Sequence, residues 1–556
     1  MSNPHARDQH PIIRHQLDSR FSFQSENGEA PKVERDPVHR AVAREPWYHQ
    51  TLSIVVVGAS GDLAKKKTYP SLLNLFEDNL LPQSTVIWGY ARSVKTHQQL
   101  RDHLKPHLLK TGSSEIIVND FLNMCFYHSG KSYGDEEAYS EMLRSIGDFE
   151  ESSPQSSQSF QSGTLGACNR LYYLAIPPNV FGDSALAIKK VGMAVEGSWT
   201  RVIIEKPFGR DLDTCNELLA TLSAAELDED QMYRIDHYLG KEIVQNLLLF
   251  RFGNSCWEHM WNRNAIESVT LTFKEPFGTE GRGGYFDSFG IIRDILQNHL
   301  LQVLSVVAME PPLGDDGDSI RNAKVKVLEN MDPISLEDVM LGQYDGYSDD
   351  PTIENKETNC PTYAAIRCWI HTPRWEGVPF IMQAGKALDE KLCEVRVRFK
   401  PPTTLKAIGS TNATKLCSNE LVFRLQPNPS LELHNNIKTP GLSSNPMTSV
   451  MKMNYEEIPN LSNPDAYTRL LLDVLRGKQG SFVRDDELRR SWELFTPLLH
   501  AIERDNVRPK PYKYGSKGPA DLPNWLEEMG KFKDPLNNGN DKLSSTLNHP
   551  VILASL

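Results

Sequence analysis

Residues 54–64 read Ile-Val-Val-Val-Gly-Ala-Ser-Gly-Asp-Leu-Ala, an apolar run that leads directly into a glycine turn. The consecutive valines at 55–57 are typical of a parallel strand that is covered on both faces. Gly58 and Gly61 allow a tight turn, and the helix that follows offers free N–H groups to a pyrophosphate. The stretch therefore predicts the strand–turn–helix corner of a dinucleotide-binding domain. Its spacing lacks the third glycine of the full fingerprint, so a corner without a cofactor remains the alternative.

A second apolar stretch, at 85–91, is followed directly by a base, Arg92. The acidic residue that binds a ribose 2′-hydroxyl about 20 positions after such a corner is not evident. An arginine at this point suits a 2′-phosphate, which favours NADP over NAD. By itself Arg92 is better explained as a solvated loop residue, but together with the preceding corner the cofactor interpretation is favoured.

Composition bounds the class of protein. The chain has 556 residues, with 24% charged and 39% hydrophobic, which is ordinary for a globular protein of two or more domains. The net charge of −12 disfavours a nucleic-acid partner. No apolar run approaches the roughly 20 residues of a membrane span, so we expect no membrane partner.

Cysteine usage and the termini bear on location. The eight cysteines are scattered without a Cys-x-x-Cys pair, which indicates reduced thiols and no metal motif. Residues 1–46 are polar and predict a disordered extension, and Ser/Gln-rich residues 148–161 predict a flexible loop. The chain ends Ala-Ser-Leu, which resembles a peroxisomal signal only loosely. We expect a cytoplasmic protein, with organelle import as the weaker alternative.

The pattern of predicted elements changes along the chain. Up to about Tyr233, apolar strands such as 171–176 and 201–204 alternate with helical stretches, which predicts a doubly wound parallel sheet. Later strands, such as 267–273 and 394–399, alternate apolar and polar residues and predict a one-sided, mostly antiparallel sheet with helices. The predicted fold class is therefore α/β followed by α+β. Helices are expected at 291–309 and 466–475.

Two polar clusters follow the predicted parallel sheet. Lys206 comes two residues after the strand at 201–204, where a side chain at the carboxyl end of a strand can reach a bound substrate. Residues 233–242 read Tyr-Arg-Ile-Asp-His-Tyr-Leu-Gly-Lys-Glu. His237, Tyr238 and Lys241 together suit a phosphate group, since they supply charge and directional donors. A helix would place His237 and Lys241 on one face. The alternatives are a solvated lysine and a polar helix start.

His299 lies in an amphipathic pattern, where a lone histidine is usually a core residue. Oxidation of an alcohol carbon, however, needs a base for the hydroxyl proton, and histidine suits this role near neutral pH. Such a base usually needs an orienting carboxylate. Asp294 is nearest in sequence, but five α-helical positions place it about 140° away. Asp236 is therefore the better partner, which leaves Asp294 to contact substrate.

Several motifs together resemble glucose-6-phosphate dehydrogenase. They include Gly-Ala-Ser-Gly-Asp-Leu-Ala-Lys-Lys-Lys at 58–67, Glu-Lys-Pro-Phe-Gly-Arg-Asp at 205–211 and Arg-Ile-Asp-His-Tyr-Leu-Gly-Lys-Glu at 234–242. The similarity continues at 273–287, 293–300, 384–388 and 495–500. It covers roughly residues 48 to 520 in the order of the family, and the block at 234–242 is highly specific.

The resemblance implies oxidation of glucose 6-phosphate at C1 to 6-phosphogluconolactone with NADP, the first step of the oxidative pentose phosphate pathway. It implies His299 as the base and Asp236 as its partner. The implied substrate contacts are Lys206, His237, Tyr238, Lys241, Glu275, Asp294, Lys386 and Lys391. The predicted cofactor contacts are Gly58, Ala59, Ser60, Gly61, Asp62, Leu63, Arg92 and Lys206, and no metal is expected. The family's large sheet mediates homodimers and homotetramers.

The chain also departs from the family pattern. Phe181 replaces a tyrosine found beside the cofactor in some members. Gln383 and Leu392 stand where members with a second, structural NADP carry bases, although Arg396 and Arg424 persist. The sequence therefore predicts one NADP per chain.

The expected domains are a disordered extension (1–46), an NADP-binding Rossmann domain (47–235), an α+β substrate and dimerisation domain (236–525) and an irregular tail (526–556). Two other functions compete with the dehydrogenase. One is another two-domain Rossmann oxidoreductase acting on a neutral sugar, which would not need Lys206 and Lys241. The other is a non-catalytic binding protein, which would not need to keep both His299 and Asp236.

Overall fold

A computed structural model describes residues 37–152, 168–402, 416–442, 445–458 and 463–530. The strands are β1 (Thr51–Val57), β2 (Thr85–Ala91), β3 (Cys125–Ser129), β4 (Cys168–Leu174), β5 (Thr200–Ile204), β6 (Met232–Arg234), β7 (Ile266–Lys274), β8 (Val339–Tyr344), β9 (Tyr363–Cys368), β10 (Phe380–Gly385), β11 (Leu392–Phe399), β12 (Glu420–Gln426), β13 (Ser430–Lys438), β14 (Pro446–Asn454) and β15 (Lys510–Tyr512).

The α-helices are α1 (Pro37–Val42), α2 (Tyr69–Glu77), α3 (His97–Leu108), α4 (Glu115–Asn123), α5 (Glu136–Ser152), α6 (Phe181–Ala187), α7 (Leu212–Ser223), α8 (Glu242–Phe252), α9 (Ser255–Met260), α10 (Gly283–Asp287), α11 (Leu301–Ala308), α12 (Gly317–Glu329), α13 (Ala466–Leu475), α14 (Asp485–Arg504) and α15 (Leu522–Gly530). Three segments are π-helical: Ala64–Thr68, Ile188–Gly192 and Ile292–Leu300. None of the helices in the described ranges is long and apolar enough to span a membrane.

The chain forms two compact units. The first comprises residues up to Phe208 together with Asn216–Ile235 and Tyr467–Val483, and the second comprises the remainder. The predicted domain limits at 46, 235 and 525 remain predictions. The unit limits differ from them chiefly in the return of Tyr467–Val483 to the first unit.

The first unit is built on a six-stranded parallel sheet with the order β3-β2-β1-β4-β5-β6. The order reverses between β1 and β4, which is the point where doubly wound sheets bind dinucleotides. Every residue of β1 is buried, as the valine run predicts. The core of this unit also includes Leu470, Leu471 and Val474 from the returning segment. The predicted Rossmann fold is confirmed.

Local signals explain where helices of this unit begin. Thr96 caps α3 because its hydroxyl accepts a hydrogen bond from the Gln99 N–H at 3.2 Å, and the Gln99 side chain accepts from the Thr96 N–H at 2.8 Å. The same helix turns Leu100, Leu104 and Leu108 into the core, at the spacing of one apolar face.

The second unit contains a nine-stranded sheet with the order β14-β13-β12-β11-β7-β10-β9-β8-β15. The β7–β10 and β8–β15 pairs run parallel, and the other neighbours run antiparallel. The predicted large, mostly antiparallel sheet with helices is confirmed. β7 lies inside the sheet, paired with β10 on one side and β11 on the other, and its end carries part of the site described below.

Three predictions, for the N-terminal extension, the Ser/Gln-rich loop and the C-terminal tail, need correction or concern residues that the structure does not describe. Of the predicted disordered extension, residues 1–36 lie outside the described residues, whereas Pro37–Val42 form α1. Of the predicted loop at 148–161, residues 148–152 continue α5, and 153–161 lie outside the described residues. In the predicted irregular tail, residues 526–530 belong to α15.

Candidate active site

The second unit contains a cavity of about 670 Å³, a size typical of small-molecule sites. Seven of the residues proposed from the sequence line it: His237, Tyr238, Glu275, Asp294, His299, Lys386 and Lys391. The cavity therefore brings together most of the expected substrate contacts with the expected base.

His299 and Asp236 form a buried pair beside this cavity. The Nδ1 atom of His299 lies 2.7 Å from Oδ1 of Asp236, and the two residues are 2% and 3% exposed. The same oxygen accepts a hydrogen bond from the Tyr238 N–H at 3.0 Å. With Nδ1 donating to the carboxylate, Nε2 is the ring nitrogen that can take a proton.

The environment keeps Asp236 charged. Burial alone would raise the pKa of this carboxyl group, but the adjacent His299 and His237 and the Tyr238 N–H hold it well below its usual range. Oδ2 has no hydrogen-bond partner among the described residues, so the interactions at Oδ1 carry the compensation. An Asp236 carboxylate that is ionised at neutral pH can orient the imidazole and stabilise its protonated form.

Aromatic packing fixes the plane of the imidazole. The Tyr238 ring is stacked on His299, with centroids 4.5 Å apart and an interplanar angle of 25°. The His237 ring meets His299 edge-on, with centroids 4.6 Å apart. These contacts leave His299 little rotational freedom, which favours catalysis because a base must be held in place.

Asp294 lies on the same cavity as His299, contrary to the expectation of different helix faces. The expectation assumed about 100° per residue, but Ile292–Leu300 is π-helical. Hydrogen bonds in a π-helix join residues five positions apart, so residues 294 and 299 are about one turn from each other. Asp236 is nevertheless the partner of His299, and Asp294 lines the cavity. Contact of Asp294 with substrate remains a prediction.

His237 and Lys241 lie in consecutive turns rather than on one face of a helix. The Gly240 N–H donates to the His237 carbonyl and the Lys241 N–H donates to the Tyr238 carbonyl, and α8 begins only at Glu242. The predicted helical face is therefore wrong.

The turns nevertheless bring together residues that were predicted to bind a phosphate. Lys241 Nζ donates to Gln426 Oε1 at 2.9 Å and lies 4.8 Å from the centre of the Tyr238 ring. Gln426 Nε2 donates in turn to the Tyr238 hydroxyl at 3.2 Å. Gln426 lines the cavity, and sequence analysis missed it because a polar residue at the end of a strand carries no signal of its own.

Glu275 and Lys386 form a second polar pair in the cavity. They follow β7 and β10, and the register pairs Lys274 with Gly385, so the next residues of the two parallel strands lie side by side. Lys386 Nζ lies 2.5 Å from a Glu275 oxygen and 3.8 Å from an Asp294 oxygen. Such a group offers both donors and acceptors to the hydroxyl groups of a sugar.

Asp236, His237 and His299 also satisfy the spacing of a metal site, with one potential ligand atom each within 4.8 Å of the others. The hydrogen bonds from His299 and Tyr238 already occupy Oδ1 of Asp236. We therefore interpret the cluster as an oriented base.

The first unit forms the predicted glycine corner. Gly58 follows β1 with φ +88°, and a Cβ atom there would lie 2.3 Å from the Ala175 carbonyl oxygen. The Gly61 N–H closes the turn on the Gly58 carbonyl at 2.8 Å, and a helical turn begins at Asp62. Only glycine fits at position 58. The predicted contacts Ala59, Ser60 and Leu63 lie within the same turn and helix start.

The two remaining predicted cofactor contacts follow strands of the same sheet. Arg92 is exposed directly after β2, and its guanidinium lies 5.2 Å from the centre of the Tyr133 ring. Lys206 comes two residues after β5, next to Glu205, whose carboxylate accepts a 2.5 Å hydrogen bond from the Tyr173 hydroxyl. The role of Lys206 toward substrate and cofactor remains a prediction.

Two family models match the chain. Residues 55–246 match "Glucose-6-phosphate dehydrogenase, NAD binding domain", and residues 248–533 match "Glucose-6-phosphate dehydrogenase, C-terminal domain".

Individual proteins are similar over most of the chain. A glucose-6-phosphate 1-dehydrogenase named as a cytoplasmic isoform, from Solanum tuberosum, is 46% identical over 86% of this chain and 92% of its own length. Glucose-6-phosphate 1-dehydrogenase from Dictyostelium discoideum is 45% identical over 87% of this chain and 95% of its own length. A solved structure of glucose-6-phosphate dehydrogenase in complex with glucose-6-phosphate has a TM-score of 0.80 and 44% identity, and the match covers 87% of this chain and 99% of that chain.

Proposed function

This chain belongs to the glucose-6-phosphate dehydrogenase family, and we propose that it oxidises glucose 6-phosphate at C1 to 6-phosphogluconolactone with reduction of NADP. It is an oxidoreductase of carbohydrate metabolism that acts at the first step of the oxidative pentose phosphate pathway. The observation that carries the proposal is the buried His299–Asp236 pair beside a cavity with a lysine-containing polar group. The family match argues against the two competing functions, the oxidoreductase of a neutral sugar and the non-catalytic binding protein.

His299 acts as the base in this reaction. Its Nε2 atom takes the proton of the C1 hydroxyl while the C1–H bond breaks, the C1–O bond becomes a carbonyl and the hydride leaves C1. Asp236 stabilises the imidazolium that forms, because its carboxylate is ionised and hydrogen-bonded to Nδ1. NADP supplies the acceptor for the hydride.

Residues in and beside the cavity bind the sugar phosphate. Lys241, His237, Tyr238 and Gln426 receive the phosphate group, since they supply charge-assisted and neutral donors. His237, Tyr238 and Gln426 line the cavity, and Lys241 lies beside it, hydrogen-bonded to Gln426. Glu275, Lys386 and Asp294 contact the sugar hydroxyls through their mixed donors and acceptors. Lys391 is exposed at the cavity and contributes a further cation, and Lys206 is a further substrate contact.

The residues of the first unit suit NADP. The turn of Gly58, Ala59, Ser60 and Gly61 lets the backbone approach a pyrophosphate, because no side chain could occupy position 58. Asp62 and Leu63 begin the following helix, and Arg92 meets the 2′-phosphate that distinguishes NADP from NAD. Lys206 is included here because it also follows a strand of this sheet. We accordingly assign cofactor binding to residues 47–235 and substrate binding to 236–525.

The chain forms a homodimer or homotetramer through its large sheet. Support comes from β13 and β14, where Met447, Met451 and Met453 alternate along the edge strand and are 38%, 53% and 43% exposed. Ile437 pairs with Met447 across the two strands and is 40% exposed. An apolar stripe of this kind on an edge strand usually marks an interface. Sedimentation of the chain and of Met451→Glu tests this proposal, with dissociation expected for the variant.

Location follows the relatives only in part. Similar proteins include cytoplasmic isoforms from Solanum tuberosum and Arabidopsis thaliana and a chloroplastic isoform from Arabidopsis thaliana. We propose a cytoplasmic location, because cytoplasmic isoforms are among the most similar proteins.

The direct test is reduction of NADP, followed by absorbance, with glucose 6-phosphate and with glucose. We expect turnover with the phosphorylated sugar at far lower concentration than with glucose. Equal use of the two sugars would contradict the assignment of glucose 6-phosphate as the substrate. Turnover with neither sugar would contradict the proposed activity.

A further inference from the structure

The segment Phe-Gly-Thr-Glu-Gly-Arg-Gly-Gly at 277–284 has no role in the function proposed so far, although it forms much of the cavity wall. It joins β7 to the start of α10, and we call it the wall loop. Five of its residues line the cavity: Phe277, Gly278, Thr279, Glu280 and Arg282. A loop with this position controls the shape of the site, provided that its conformation is fixed.

The backbone of the wall loop is not one that a chain adopts without support. Glu280 and Gly281 have φ values of +45° and +81°, and the Arg282 N–H closes the turn on the Thr279 carbonyl at 3.0 Å. The left-handed region suits glycine, but it is costly for a residue with a side chain, such as Glu280. Strained residues of this kind persist only where neighbouring groups hold them.

A single carboxylate holds this loop. Oδ2 of Asp350, about 70 residues further along the chain, accepts hydrogen bonds from the Thr279 hydroxyl at 2.8 Å, the Gly281 N–H at 2.9 Å and the Gly283 N–H at 3.2 Å. Hydrogen bonds to a charged oxygen are stronger than those between neutral groups. The three donors span both sides of the strained residue, so Asp350 fixes the turn as a unit.

The other oxygen of Asp350 is also engaged. Oδ1 accepts hydrogen bonds from the N–H of Thr352 at 3.0 Å and from its hydroxyl at 2.6 Å. The Thr352 hydroxyl oxygen accepts in turn from the Gly284 N–H at 2.9 Å. Although burial opposes ionisation, the hydrogen bonds from Thr352 and Thr279 hold the pKa of Asp350 well below its usual range. The clamp is therefore charged at neutral pH.

Close packing explains the two glycines next to the clamp. A Cβ atom at Gly283 would lie 2.7 Å from the carboxyl carbon of Asp350, and one at Gly284 would lie 2.3 Å from the Thr352 carbonyl oxygen. Both positions leave no room for a side chain. The loop and the segment around Asp350 thus fit each other closely.

We infer that Asp350 is a positioning residue for substrate binding, which holds the wall loop in the conformation that presents Glu280 and Arg282 to the cavity. The expected effect on KM rests on the proposed function, whereas the expected effect on the conformation of the wall loop does not. Asp350 is not among the residues that line the cavity in the described ranges, so it acts through the loop.

The test compares Asp350→Asn with Asp349→Asn in the full chain. Asp349 is the adjacent, exposed carboxylate, so its substitution makes the same change of charge outside the clamp. For Asp350→Asn we expect the KM for glucose 6-phosphate to rise about tenfold, with kcat within about threefold of the unaltered chain. Thr279→Val, which removes one donor and keeps the carboxylate, should raise KM by a smaller factor. A KM for Asp350→Asn equal to that of Asp349→Asn would overturn the inference.

Hydrogen exchange of the same proteins gives a second measurement that does not depend on activity. Amides of 278–284 should exchange faster in Asp350→Asn and at the unaltered rate in Asp349→Asn, while the strands of the sheet stay protected in both. Unaltered exchange in Asp350→Asn would overturn the inference even if KM rose. If the unaltered chain failed to turn over glucose 6-phosphate, the proposed function would be wrong, and faster loop exchange would still support the clamp.

Discussion

The His299–Asp236 pair combines three features that a base in this position needs. Its members are buried, the carboxylate stays ionised, and the imidazole is held between two rings. Each feature depends on residues that are far apart in the chain, since Asp236 and His299 are 63 positions apart. The cavity beside the pair contains groups of both charges.

Replacement of His299 by asparagine tests its role. His299→Asn keeps a polar side chain but removes the proton acceptor, so kcat should fall by roughly 10²–10⁴-fold, with a much smaller effect on KM. His371→Asn is the control, because His371 is exposed and pairs only with surface acids. A near-normal kcat in steady-state assays of His299→Asn would show that another group takes the proton.

Arg92 is the residue that should distinguish the two nicotinamide cofactors. Arg92→Ala should weaken the binding of NADP by about 1.5–3 kcal/mol, the range for a hydrogen bond to a charged group. It should leave the binding of NAD nearly unchanged. Lys110→Ala serves as a control in the same unit, since Lys110 lies in a surface turn after α3. The measurement is the affinity of Arg92→Ala for NADP and for NAD. An equal loss of affinity for both cofactors would show that Arg92 does not distinguish them.

The regular elements of the site were predictable from the sequence, but their local geometry was not. The alternation at 267–273 predicts β7, and the apolar periodicity at 291–309 predicts a helix. The periodicity does not reveal that Ile292–Leu300 is π-helical, because apolar positions every three or four residues fit both helix types at this length. The angle between Asp294 and His299 could therefore not be deduced.

A second difference concerns Gln426 and the turns at 237–241. Four residues of spacing suit a helix and a pair of turns equally, so the sequence supports the grouping of His237 with Lys241 but not its geometry. Gln426 joins that group only because β12 ends beside Tyr238 in the folded chain. Such long-range placement leaves no pattern in a single sequence.

The β13–β14 pair supports a prediction about acid stability. A hydrogen bond with His434 and an ion pair with Lys452, opposed by burial, lower the pKa of Glu432 from 4.5 to about 2. The ionised Glu432 therefore stabilises the fold. This contribution is fully present above the pKa of a glutamate in the unfolded chain, about 4.3, and is lost as the pH falls toward 2.

Glu432→Gln should remove this contribution. Its free energy of unfolding should be lower than that of the unaltered chain at pH 6, by about 3 kcal/mol at most, and the difference should shrink as the pH falls from 4.5 to 2. Glu456→Gln, at an exposed position, is the matched control. Urea unfolding across this pH range provides the measurement, and a difference that grew on acidification would contradict the assignment.

The division of the whole chain follows the change of pattern near Tyr233, because parallel and antiparallel sheets place different demands on their strands. The return of Tyr467–Val483 to the first unit could not be predicted in the same way. Its apolar residues, such as Leu470 and Phe482, identify a buried segment but not which core receives it.

The chain should bind one NADP. From the sequence, bases are expected at positions 383 and 392 where a second NADP is bound, and this chain has Gln383 and Leu392 there. In the structure, Arg396 is paired with Glu394 and Glu420 at 2.9 and 2.5 Å, and its charge is therefore already balanced. Calorimetry should give a stoichiometry of one per chain, which Arg396→Ala leaves unchanged. A second ordered NADP near Arg396 would contradict this prediction.

The central claim is that the cavity of the second unit selects a sugar phosphate through Lys241 and oxidises it. The most direct test measures kcat/KM for NADP reduction with glucose 6-phosphate and with glucose, in the unaltered chain and in Lys241→Ala. Lys274→Ala is the control, because Lys274 pairs with Asp389 and Glu390 instead. We predict a strong preference for the phosphorylated sugar that Lys241→Ala largely abolishes by raising its KM, with glucose oxidation almost unchanged. Parallel losses on both sugars, or no preference in the unaltered chain, would contradict the claim.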